Sequence, residues 1–151
     1  MDAGYQGTRT PPGGASAARP AAVPIGNANF LAALEDCALP AECFDHAAHV
    51  RAGYLYLRDQ PFPLAAAAMC TTIANYARAL GKPERYHETI TVAFMALINA
   101  QLRRDGDGGS WDGFRERNPQ LLRRDALLAY YPRAVLESHE ARACFTLPPP
   151  G

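Results

Sequence analysis

The sequence has no excess of either charge: fifteen Lys and Arg side chains stand against fifteen Asp and Glu in 151 residues. A chain without a net field has no long-range pull toward nucleic acid or an anionic membrane surface, so neither partner is expected. The arginines at 103, 104, 115, 117, 123 and 124 form a locally basic stretch, read as solvated helix ends and loops. No run of about eighteen apolar residues is present to span a bilayer. No CxxC pair occurs. Cys37, Cys43, Cys70 and Cys144 stand singly in apolar or helical contexts, where a thiol behaves as a small buried hydrophobe rather than a zinc ligand. With no secretory signal, reduced thiols and a cytoplasmic location are expected. Strand-length alternation of apolar and polar residues is missing, as is any βαβ rhythm or internal repeat. There is no GxSxG, P-loop or GxGxxG, and "HETIT" lacks the second histidine at 91 that HExxH requires.

What is present is helical. Hydrophobic residues make up 48% of the chain, enough for one core at this length. Residues 1–25, rich in Gly, Pro, Ala and Ser, are expected to form a flexible tail, and 26–151 a single helical domain. Asn27 or Asn29 would cap a first helix over "FLAALEDCAL" (30–39), ended by Pro40. A second runs from about Asp45, its N-cap, to Asp59. "QPFP" (60–63) turns into a third helix over 64–80, with Met69, Ile73, Tyr76 and Leu80 on one face and Gly81 as C-cap. Pro83 opens a fourth, reaching about Arg104. After the loop "DGDGGS" (105–110), Ser110 caps a short helix, "NP" at 118–119 breaks it, and further short helical pieces follow. The expected fold is all-α: a four-helix-bundle-like core with a clasp of short C-terminal helices.

Three of the four histidines sit at the starts of apolar helices. At about 100° per residue, His46, His49, Val50, Gly53 and Leu57 share a stripe of the second helix. Gly53 leaves room there for a ligand or a neighbouring backbone. On the fourth helix His87 shares a face with Ile90, Thr91, Phe94 and Ile98. The positive end of the helix dipole favours neutral imidazole, the form that binds metal or accepts a proton. Any one of these histidines reads most simply as a satisfied core residue. Three in one small core must largely satisfy one another, and one divalent ion would do so with a single atom. His46, His49 and His87 are therefore the candidate metal ligands, for zinc, iron or copper. Glu88 is the candidate fourth ligand, acceptor for a ligand's free ring N–H, or general base. Tyr86 is a candidate donor beside it. Glu84 and His87 form E-x-x-H, but the second such pair of a dinuclear carboxylate bundle is missing. His139 reads as the N1 residue behind a Ser138 cap and is left out of the site.

In order, "FDHAAHV" (44–50), "YLYLR" (54–58), "YHETIT" (86–91), "RNPQLL" (117–122) and "FTLP" (145–148) resemble the pattern of a family of small uncharacterised bacterial proteins. The likeness covers about residues 28–148. It implies that His46, His49, His87 and Glu88 occupy pattern positions, and that the position of His139 varies toward Pro; it brings no activity with it. The Ala-, Arg- and Pro-rich composition resembles that of high-GC bacteria, where specialised metabolism would be a natural setting. Three functions follow from the residues. The first is a metal-dependent enzyme acting on a small organic substrate. The second is a metal-free His/Glu acid–base enzyme such as an isomerase, cyclase or dehydratase. The third is a non-catalytic helical binding module.

Overall fold

The computed structural model describes residues 25–106 and 109–151. The tail expected over 1–25 lies outside these residues except for Ile25, as do the two central residues of the 105–110 loop. Seven α-helices follow one another: α1 (Asn27–Glu35), α2 (His46–Asp59), α3 (Phe62–Ala79), α4 (Glu88–Asp105), α5 (Trp111–Arg117), α6 (Arg133–Leu136) and α7 (His139–Ala143). Short 3-10 turns join several of them, and there is no strand among the described residues. The fold is all-α, with a core of four longer helices and a C-terminal clasp. No described helix is long and apolar enough to cross a membrane.

Helix ends follow local chemistry. The Asp45 carboxylate accepts the Ala48 N–H at 2.8 Å and starts α2, as its side chain predicts. Ser110 and Ser138 cap α5 and α7 in the same way, leaving His139 exposed at N1. Gly81, with φ +73°, ends α3 through bonds from its own N–H and that of Lys82 to Arg78 and Ala77 carbonyls. This is the left-handed turn glycine makes without strain.

Several boundaries depart from the sequence reading, α3 among them, which begins at Phe62 rather than at 64. No asparagine caps α1: Gly26 stands at the N-cap without a side-chain bond. The same helix stops at Glu35, well before Pro40, because Cys37 adopts the left-handed conformation that Gly81 uses, with φ +57°. Ala38 and Cys37 N–H groups then close on Ala33 and Leu34 carbonyls. Pro83 does not open α4; Pro83–Arg85 is a separate 3-10 turn, and the helix begins at Glu88 with His87 as its N-cap. Leu80, expected on the buried face of α3, is exposed just past its end.

α2, α3 and α4 pack against one another, each touching the other two. Gly53 lies tight against α4: a Cβ there would lie 2.8 Å from Met95 Sδ and 2.9 Å from Ile98 Cδ1. The space expected for a ligand or backbone is filled by side chains of α4. α2 is buried on opposite sides. Ala52 and Tyr56 join Phe30, Met69 and Tyr76, whereas Val50 and Tyr54 join Ile98, Trp111 and Phe114. The buried tyrosines all find partners: Tyr56 bonds Glu35 and Thr72, Tyr76 the Leu39 carbonyl, Tyr54 the Gly109 carbonyl and Tyr131 the Thr146 carbonyl.

Candidate functional site

The start of α2 carries His46 and His49 three residues apart on one face. Because Asp45 already satisfies the Ala48 N–H, neither imidazole is needed as a cap. His46 lies edge-on to Phe94 of α4, ring centroids 4.9 Å apart, and its Nε2 meets the Leu121 carbonyl at 3.0 Å. That carbonyl oxygen can only accept, so Nε2 carries the proton.

His49 is enclosed differently. Its ring lies 5.5 Å from that of Phe44, which is itself edge-on to Tyr76. The residue keeps some exposure, yet its Nε2 is sealed from solvent and has no hydrogen-bond partner among the described residues. Burial pushes its pKa from 6.5 down to about 4, with the neighbouring His46 adding to the effect. The cause is chiefly desolvation. His49 is a neutral imidazole at pH 7 with one nitrogen unused. An unpaired buried polar atom of this kind costs about 1–3 kcal/mol.

His87, expected to meet these two, is engaged elsewhere. Its Nδ1 accepts the Ile90 N–H at 3.2 Å and caps α4. Its Nε2 donates to the Leu136 carbonyl at 2.7 Å, tying α4 to the end of α6. Both ring nitrogens are spent, and the residue is only 6% exposed. Burial lowers its pKa too, the Leu136 bond opposing and Arg142 adding to that shift. Among the described residues no group of three or more His, Cys, Asp or Glu side chains is arranged to hold a metal ion.

Tyr86 and Glu88 flank His87 and do come together. The Tyr86 hydroxyl donates to Glu88 Oε2, and the Cys70 thiol of α3 lies near enough to influence the same hydroxyl. Burial raises the phenol above its usual range, with Cys70 and Glu88 reinforcing it. Burial likewise raises the Cys70 thiol, the Tyr86 hydroxyl opposing and the Glu88 charge adding. Tyr86 is thus a fixed hydrogen-bond donor rather than a base, and Cys70 a protonated thiol. Cys70 was read from sequence as a plain buried hydrophobe. Nothing in its spacing pairs it with Tyr86, which comes from the far side of the α3–α4 connection.

The patterned segments meet in pairs. His46 of "FDHAAHV" bonds the Leu121 carbonyl of "RNPQLL". Thr89 of "YHETIT" donates to the Cys144 carbonyl at 3.0 Å and accepts the Thr146 N–H of "FTLP" at 3.0 Å. The two carbonyls that receive the histidines, Leu121 and Leu136, are backbone groups of the clasp that no side-chain pattern announces. In comparison with known proteins, the chain matches no family model, no curated protein and no solved structure.

Proposed function

We propose that the α2 histidine pair is the chemical centre of a small enzyme that acts on a small organic substrate by acid–base chemistry. One observation supports this above the others: the neutral His49 imidazole has an enclosed, unpartnered Nε2. In the tautomer with its proton on Nδ1, Nε2 offers a free lone pair, which a substrate admitted past the Phe44 ring would meet as a base. Isomerisation, cyclisation and dehydration all fit such a base.

The spacing of His46 and His49 favours a second reading, in which one divalent ion (zinc, iron or copper) binds through this pair. An unpaired buried nitrogen is what a cation would satisfy. His87 could join only by giving up the Ile90 N–H or the Leu136 carbonyl, so the ion would take its other ligands from substrate or water.

The test uses the full, untagged chain. A panel of small organic compounds is screened for turnover with wild type, His49→Gln and His49→Leu, with and without a strong chelator. The acid–base reading expects turnover that survives chelation and falls roughly a hundredfold or more in both variants. Stoichiometric binding of zinc, iron or copper, with turnover lost to the chelator, would move the assignment to the metal. Undiminished turnover in both variants would remove His49 from the chemistry.

A further inference from the structure

A cleft of about 330 Å³ lies between the first half of α4 and the clasp, near the small end of ligand-binding sites. Its inner wall is apolar, made by Ile90 and Phe94 of α4 with Leu127 and Leu136. Its rim is cationic, with Arg124, Arg133 and Arg142 set against Asp125 and Glu137. Both carboxylates already face arginines. Asp125 is held by two 3.0 Å bonds from Arg123, which lies outside the cleft lining, and Glu137 faces Arg133 at 4.0 Å. Arg142 donates to the carbonyls of Glu84 and Tyr86. Arg124 makes no hydrogen bond or ion pair with any described residue and borders the apolar wall.

We infer that this cleft binds a small organic monocarboxylate, its carboxylate on Arg124 and its apolar body against Ile90 and Phe94. The guanidinium fork matches a carboxylate in both geometry and charge. With Asp125 answered by Arg123 and Glu137 facing Arg133, the rim keeps an excess of positive charge that favours an anion. The apolar wall gives the body of the ligand the burial that a bare inorganic anion would not use. The ring of Phe94 separates this cleft from His46, so the inference stands independently of what His49 does.

The test is an NMR titration of the full chain with hexanoate, hexanol and hexylamine, which share one apolar body. Hexanoate is expected to shift the amides of Ile90, Phe94 and Leu127, and to bind more tightly than the alcohol or the amine. Arg124→Gln should weaken hexanoate roughly tenfold and Arg124→Lys less, while Arg103→Gln and His49→Gln leave its affinity unchanged. The inference is overturned if hexanoate at roughly 10 mM moves none of these amides, if hexylamine or hexanol binds as tightly, or if Arg124→Gln keeps the wild-type affinity. A loss of hexanoate binding in His49→Gln would also overturn it, since it would place the ligand at the histidine pair.

Discussion

The starts of α2 and α4 both carry histidines, and they use them in opposite ways. At α4 the imidazole is the cap. His87 takes the Ile90 N–H on one nitrogen and reaches the Leu136 carbonyl with the other, so its whole hydrogen-bonding capacity goes into the fold. At α2 an aspartate one residue earlier does the capping, which releases the imidazoles behind it. His46 spends one nitrogen on the Leu121 carbonyl, and His49 is left with an enclosed nitrogen and nothing to bond. The difference comes from which side chain occupies the N-cap. A histidine at that position is structural, whereas one a turn inside the helix is free for other work.

That contrast can be strained hardest with pH. The His49 pKa stands near 6.5 in the unfolded chain and about 4 in the fold. As pH falls through 6.5 the unfolded chain takes up a proton that the native state refuses, so stability drops until the native imidazole protonates near pH 4. The loss is on the order of 3 kcal/mol, and the lowered pKa of His87 adds loss of the same sign. Urea unfolding measured between pH 7 and 4 should show this slope, and His49→Leu should flatten most of it. An unchanged slope in that variant would mean His49 is solvated in the native state.

Next in size is the capping histidine. His87→Ala strips the cap and leaves a buried carbonyl at Leu136 unpaired, an expected loss of about 2–3 kcal/mol at neutral pH. His87→Asn, which keeps a capping oxygen, should recover part of it. Asp45→Ala should cost about 1 kcal/mol and leave the low pKa of His49, read by NMR titration, in place. A large change in that pKa would show that the Asp45 cap, and not burial alone, sets it.

The smallest effect has the opposite sign. His49→Leu removes an unsatisfied buried nitrogen and should raise stability at pH 7 by about 1 kcal/mol, roughly 3 °C in Tm. His46→Leu leaves the Leu121 carbonyl unpaired and should not. A gain in stability coupled with loss of turnover would be the expected signature of a group kept for function. A His49→Leu protein that is less stable than wild type would instead mark this imidazole as structural.

Much of the fold was legible in the residue order. Asp45, Ser110, Ser138, Gly81 and Pro63 announce helix ends through their own backbone and side-chain chemistry, and the structure places each in that role. The end of α1 was not legible, because a cysteine in the left-handed conformation carries no local signal. The start of α4 was misread for a related reason. Proline at 83 is a good first-turn residue, yet the capping is done by His87, a residue whose ring nitrogen does what a carboxylate does elsewhere.

The site divides in the same way. The shared face of His46 and His49 is a consequence of helical spacing, and the sequence alone determined it, as it determined the all-α fold through the period of its apolar residues. The partner of each imidazole was decided only by the tertiary structure. Leu121 and Leu136 offer backbone carbonyls, which every residue possesses and no pattern distinguishes. Only when the clasp folds back over α2 and α4 does distance select which histidines they satisfy, and which nitrogen is left without a bond.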